Sequence, residues 1–310
     1  MIHEIGQIPV APPEFKSGFI GLIGRPNVGK STLMNQLVGQ KVAITSSVAQ
    51  TTRNRLHGIL TTEKAQMIFV DTPGIHKPHH ELGKVIVKNA QSTIDAVDVN
   101  LLIFDAATPA GGGDRYIVEL LKKANVPVIV GLNKTDLVTD KQRDKNRNTY
   151  QAIIPENWGK KLEFSAVTGL GLETLQQQLT DQLDYGPYYY PPDLVSDQPE
   201  RLVMAELIRE QILKHTREEI PHSVAIVIDR IEQEQDLTRI IATINIERPS
   251  QKGILIGKKG AMLKQIGTAA RAEMQKLIAG NIYLELFVRV QSKWRESARQ
   301  VAEFGYFQEE

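Results

Sequence analysis

Gly24-Arg25-Pro26-Asn27-Val28-Gly29-Lys30-Ser31 is the stretch on which the fold turns. A glycine, four residues and then Gly-Lys-Ser is the spacing of a loop whose backbone N–H groups wrap a phosphate, the glycines allowing the close approach. The apolar run Ile20-Gly21-Leu22-Ile23 precedes it, and a helical pattern over residues 31–38 follows. A strand entering such a loop and a helix leaving it put the anion at a helix N-terminus, where free amides and the helix dipole favour it. In that setting Lys30 reaches the terminal phosphates and the Ser31 hydroxyl ligates Mg²⁺. Gly24, Asn27, Val28, Gly29 and Thr32 complete the cradle.

Working outward, short apolar runs at 18–23, 66–70, 99–104, 126–130 and 162–164 read as strands. Helical patterns lie near 31–38, 82–94, 116–124 and 172–183. That alternation predicts an α/β domain with a mostly parallel sheet and helices on both faces. Three more signals each follow an apolar run, and so belong at the carboxyl edge of the sheet, where open α/β sheets bind ligands. In Asp71-Thr72-Pro73-Gly74, Asp71 is expected to hold Mg²⁺ through water, and the Gly74 N–H to sense a γ-phosphate. In Asn133-Lys134-Thr135-Asp136, the Asp136 carboxylate matches the N1–H and exocyclic amine of guanine, which adenine cannot supply. Asn133 would brace that loop and touch the base, and the Lys134 stem would cover the base's face. Ser165-Ala166, after the last strand, would offer a backbone N–H to the guanine O6.

The remaining switch must fall near Gln50-Thr51-Thr52-Arg53. One threonine there should ligate Mg²⁺ and close over the γ-phosphate; Thr52 is favoured over Thr51. GTP/GDP and Mg²⁺ are the expected cofactors, with Lys30, Thr52 and Gly74 on the transferred phosphoryl group. Ras-like enzymes carry a glutamine directly after the switch glycine to orient the attacking water. Here that position is Ile75, so slow unaided hydrolysis is expected.

Composition bounds the rest. The chain has 310 residues and a net charge of +1, which suggests two domains and says nothing about partners. It has no cysteine, so disulfides and thiolate metal sites are excluded and a reducing cytosol fits best. The start lacks the pattern of a secretory signal, and no stretch approaches the ~18 apolar residues of a membrane span. A cytoplasmic protein is expected, with contact at the inner membrane surface left open.

Tyr185-Gly186-Pro187-Tyr188-Tyr189-Tyr190-Pro191-Pro192 breaks the alternation. Its prolines read as a stiff linker, placing an N-terminal extension and nucleotide domain at 1–186, a linker at 187–200 and a second domain at 201–310. Packing at a hinge is expected of the tyrosines, ahead of base stacking. The second part reads as helix, two strands joined by a turn at 232–236, short helix, Gly257-Lys258-Lys259-Gly260, long helix and strand. Between residues 248 and 299 eleven basic residues face three acidic ones, an excess of +8 hidden in a neutral total. A GxxG loop with lysines inside it, between two helices, clamps a nucleic-acid backbone beside an apolar groove. Ile254, Ile256 and Trp294 are expected in the core rather than against bases.

GRPNVGKST, QTTRNR, DTPGIHKP, NKTD and SAVTGLG resemble the translation-factor-related bacterial GTPases. Residues 196–201, 206–210, 219–224 and 253–260 narrow the likeness, which runs from about 18 to 307, to the Era-type GTPases. The resemblance implies a P-loop GTPase domain followed by a smaller α+β type II KH domain. It implies binding to the 3′ end of 16S ribosomal RNA and maturation of the 30S subunit; a monomer is expected, and Ile75 in the glutamine's place leads us to expect hydrolysis stimulated by the RNA or a preribosomal particle. Related GTPases with asparagine at the place of Asn27 use K⁺ to neutralise transition-state charge; a purely bracing Asn27 is the equal alternative. The competing readings are a nucleotide-indifferent RNA-binding module with GTP as a structural ligand, a tRNA-modification GTPase, and a basic face directed at anionic lipid.

Overall fold

The structure is a computed structural model that describes residues 8–46, 48, 51–75, 81–158, 161–278 and 280–306. Gln50 of the first switch motif, residues 76–78 of DTPGIHKP and Phe307 lie outside the described residues. The chain divides into two compact units. The first takes 1–43, 52–77 and 86–197; the second takes 44–51, 78–85 and 198–310.

The first unit contains β1 (Lys16–Ile23), α1 (Lys30–Val38), β2 (Leu56–Thr61), β3 (Ala65–Asp71), most of α2 (Glu81–Asp95), β4 (Val99–Asp105) and α3 (Gly112–Leu121). It continues with β5 (Val128–Asn133), α4 (Asp140–Gln151), β6 (Lys161–Glu163) and α5 (Leu172–Gln182). The sheet order is β2-β3-β1-β4-β5-β6, parallel throughout except that β2 runs antiparallel to β3. Every residue of β3 and β4 is buried, as expected for central strands covered on both faces. On β5, Gly131 leaves room for a ring: a Cβ there would lie 2.5 Å from Phe164 Cε1.

The tyrosine-proline segment belongs to this unit as far as Asp197. The Tyr188 ring packs at 4.4 Å from Phe15, and Tyr189 at 5.3 Å from Phe19. Gln66 binds the chain as it passes, Oε1 accepting the N–H groups of Tyr189 and Tyr190 while Nε2 donates to the Tyr190 carbonyl. The Ile59 N–H donates to the Val195 carbonyl, which covers part of the β2 edge.

The second unit holds α6 (Glu200–His215), α7 (Ile220–Ser223), β7 (Ala225–Gln233), β8 (Leu237–Ile246), α8 (Pro249–Ile256), α9 (Ala261–Met274), β9 (Asn281–Val290) and α10 (Ala298–Glu303). β7 and β8 are antiparallel, and β9 runs parallel to β8 in register from Leu237↔Asn281 to Ile246↔Val290. Its core gathers Ile208, Ile212, Ile240, Ile244, Leu255 and Ile266, joined by Ile44 from the first-switch segment. Within this unit Glu210 accepts the Thr45 N–H. Trp294 is fully buried and donates from Nε1 to the Ser223 carbonyl. The expectation for Ile254 and Ile256 needs correction: Ile254 is 51% exposed and Ile256 only half-buried. Helical phase is the reason, because α8 turns Gln251 and Leu255, four residues apart, to the inside. Among the described residues no helix is long and apolar enough to cross a membrane.

Candidate functional site

All four sequence signals of the first unit sit at the carboxyl ends of β1, β3, β5 and β6 or just beyond. Gly24 and Gly29 are dictated by contact. A Cβ on Gly24 would meet the Ile103 carbonyl at 2.6 Å; on Gly29, at φ +100, it would meet Asn133 Nδ2 at 2.3 Å. Asn27 holds a left-handed backbone at φ 64, Val28 is buried, and Ser31 and Thr32 are half-buried in the first turn of α1. Lys30 is buried, its ammonium donating to the carbonyls of Gly24 (3.2 Å) and Arg25 (3.0 Å). Burial pushes its pKa down to about 8, the Asp71 carboxylate opposing the shift. A cation held there with little solvent is poised to gain from a polyphosphate.

Three oxygen groups meet beside it. Ser31 Oγ donates to Asp71 Oδ2 at 2.5 Å, Thr52 Oγ1 donates to the same oxygen at 3.0 Å, and the two hydroxyls are 3.0 Å apart. Burial raises the Asp71 pKa, against the pull of Lys30 and the two hydroxyls. Asp71 Oδ1 is buried with no hydrogen-bond partner. A hard divalent cation would answer both conditions, favouring the ionised carboxylate and occupying its neighbourhood directly or through water. The set suits Mg²⁺, which takes one or two protein oxygens and completes its shell with water and phosphate. Thr51 is not in this group; its Oγ1 donates to the Val48 carbonyl at 2.7 Å. Gly74 lies against the phosphate loop, where a Cβ would be 2.6 Å from Pro26 N. The Ile75 side chain is buried in the core with Ala90, Phe104 and Ile117.

One side chain ties the loops together. Asn133 Nδ2 donates to the Val28 carbonyl at 2.8 Å, and its Oδ1 accepts the N–H groups of Lys134 (2.7 Å) and Ala166 (2.9 Å). The Ala166 N–H therefore has a partner already, and a base oxygen would share it. Ser165 is fully buried, its Oγ accepting the Thr168 N–H. Asp136 is exposed in a single 3₁₀ turn of residues 135–137.

Four supporting residues escape sequence reading because their partners are distant. Asp105 pairs with Lys134 at 2.6 Å. Asp114, buried, pairs with Arg25 of the phosphate loop at 2.7 Å. Asn146 and Tyr150 of α4 fix the intervening chain through the carbonyls of Ala106, Asp105 and Thr108. An aspartate directly after the apolar run 99–104 is the one signal that could have pointed to Asp105.

In the second unit, Gly257 and Gly260 hold positive φ (+69 and +80), as does Lys259 (φ 53). Lys258 and Lys259 are exposed between them. The loop opens on a groove of about 500 Å³ between α9 and β9, lined among others by Leu263, Lys264, Arg271, Tyr283 and Leu286. Part of the basic excess is neutralised locally: Arg295 pairs with Glu247, Lys276 with Glu273 and Arg299 with Glu303. Among the described residues no carboxylate forms an ion pair with Lys258, Lys259, Lys264 or Arg271, although Glu285 also lines the groove.

Residues 19–134 match the family described as 50S ribosome-binding GTPase, and residues 219–295 match the KH domain. The chain is 62% identical over 309 residues to GTPase Era of Crocosphaera subtropica, covering 100% of this chain and 98% of that protein. It is 63% identical over 303 residues to GTPase Era of Nostoc sp., with 98% and 93% covered. A crystal structure of Era in complex with MgGDPNP and nucleotides 1506–1542 of 16S ribosomal RNA superposes with a TM-score of 0.90 at 36% identity, covering 94% of this chain and 99% of that one.

Proposed function

The chain belongs to the GTPase Era family, and on that footing we propose a GTP-hydrolysing switch that binds 16S ribosomal RNA near its 3′ end and assists maturation of the 30S subunit. The observation that carries the switch is the convergence of Ser31, Thr52 and Asp71 within 3.0 Å: a purely structural nucleotide site has no use for a γ-phosphate sensor. In this reading residues 1–186 bind nucleotide, 187–200 link, and 201–310 bind RNA. Mg²⁺ would be held by Ser31 and Thr52, and by Asp71 through water, neutralising charge between the β- and γ-phosphates. Lys30 leaves its two loop carbonyls for the phosphates, and the Gly74 N–H marks the γ-phosphate. Gly24, Asn27, Val28, Gly29 and Thr32 wrap the phosphates. Asn133, Lys134, Asp136 and the Ser165-Ala166 turn receive guanine. Ile75, turned into the core, orients no water, so unaided turnover is slow.

The RNA reading rests on Gly257, Lys258, Lys259 and Gly260 beside the groove and is supported by the Era–RNA complex, where the partner is nucleotides 1506–1542. The protein acts as a monomer in the cytoplasm, and a peripheral encounter of the basic face with anionic membrane is secondary. Binding of a 16S 3′-end oligonucleotide, against a scrambled one at stated salt, tests this in the GDP and non-hydrolysable GTP states. Tighter, sequence-preferring binding in the GTP state is expected. Equal binding in the two nucleotide states would overturn the switch on RNA, and equal binding to the two oligonucleotides would overturn the sequence preference.

K⁺ at Asn27 is part of the same proposal. Hydrolysis in KCl should exceed that in NaCl at matched ionic strength, because a bound cation would compensate charge that develops at the transition state. Equal rates would leave Asn27 a brace.

A further inference from the structure

We infer that Asp105 is a positioning residue for guanine: it fixes the Lys134 ammonium so that the lysine stem stands as one wall of the base pocket. The inference rests on the guanine reading of the Asn133–Asp136 loop.

Asp105 is the last residue of β4, paired in register with Asn133, the last residue of β5. Both neighbours of the pocket therefore spring from one rigid pair of strands. The carboxylate is doubly engaged: Oδ2 accepts from Lys134 Nζ at 2.6 Å and Oδ1 from the Ala107 N–H at 2.9 Å. Its backbone carbonyl accepts the Tyr150 hydroxyl at 3.1 Å, and the Tyr150 ring stacks on Phe104 at 4.3 Å. The backbone that carries the carboxylate is thus held by buried groups, and the carboxylate itself by two hydrogen bonds. Lys134, by contrast, starts from a left-handed backbone at φ 67, its side chain 26% exposed. A lysine left to itself samples many rotamers. Anchored at the ammonium by Asp105 and at the backbone by Asn133 Oδ1, this one has both ends of its methylene chain defined. A taut aliphatic stem is a flat apolar surface, and a purine face covers it without further ordering.

Because the wall meets the base and not the phosphates, its loss should weaken GDP and GTP alike and act through dissociation. Asp105→Asn keeps the shape and an acceptor for Ala107 while removing the charge. Fluorescent GDP and GTP analogues would be titrated against wild type, Asp105→Asn, Lys134→Met and the double variant, with Tm as the check on folding. Each single variant should lose about 10-fold in affinity, as for one charge-assisted hydrogen bond, with the same factor for both nucleotides and faster release. The double variant should lose little more than either, since the two residues act as one unit. Multiplicative losses in the double variant would overturn the inference, as would an effect confined to GTP or no effect of Asp105→Asn. Wild type that binds neither nucleotide would instead overturn the guanine reading itself.

Discussion

Asp136→Asn lowers the affinity for GTP and GDP by about 10³-fold and transfers it to xanthosine nucleotides. Guanine presents two donors along one edge, N1–H and the exocyclic amine, to which the Asp136 carboxylate offers two acceptors. The asparagine amide accepts one and opposes the other with its own N–H. Losing one charge-assisted bond and juxtaposing two donors removes ~4 kcal/mol, the source of that factor. Xanthine carries an oxygen where guanine has the amine, so the same amide becomes complementary. Asp136 is exposed, and the substitution should leave Tm within about 1 °C of wild type. Parallel titrations with GDP and XDP provide the measurement. A general weakening, with no gain for XDP, would show that Asp136 does not meet the base edge.

The second large effect falls on RNA. Gly257→Asp should weaken binding of the 16S 3′-end oligonucleotide by roughly 100-fold at moderate salt. Two causes act together. At φ +69 a side chain is strained, and its Cβ would stand 2.8 Å from Met262 Cβ and 2.9 Å from Met262 N, so the first turn of α9 must move. The new carboxylate would also face a phosphate. Lys258→Ala separates charge from geometry: it should cost less, about 3- to 10-fold, and reduce the slope of log K against log salt by about 1. Basal GTP hydrolysis, measured without RNA, should be unchanged in both variants. Unaltered RNA affinity in both would remove the loop from the interface and leave the groove alone to bind.

Much of the nucleotide site was legible because its chemistry is local in sequence. A phosphate cradle needs its glycines, lysine and serine within one turn of chain, and each strand announces its carboxyl end by leaving an apolar run. What escaped lacks such a signature. α4 reads Asp140-Lys141-Gln142-Arg143-Asp144-Lys145-Asn146-Arg147-Asn148-Thr149-Tyr150-Gln151, with no apolar stripe to mark its period. It buries only Asn146 and Tyr150, and Tyr150 binds through a ring stack and a hydroxyl. β2 is six residues with a glycine inside, and Gly58 leaves room for Met34, whose Cγ would lie 2.7 Å from a Cβ there. Asp105 and Asp114 look like ordinary loop acids until the fold brings Lys134 and Arg25 to them. In α8 composition located the helix but not its phase, so Leu255, not its isoleucine neighbours, faces the core.

The volume a side chain would fill at Gly29 is taken by the amide nitrogen of Asn133. Phosphate motif and base motif thus share one parcel of space, and neither can drift alone. A larger residue at 29 would evict the asparagine and release Val28, Lys134 and Ala166 together, while a different residue at 133 would unseat the phosphate loop. Asp136 shares no such parcel. Base preference in this scaffold is free to evolve at Asp136, but only along routes that leave the pair at 29 and 133 untouched.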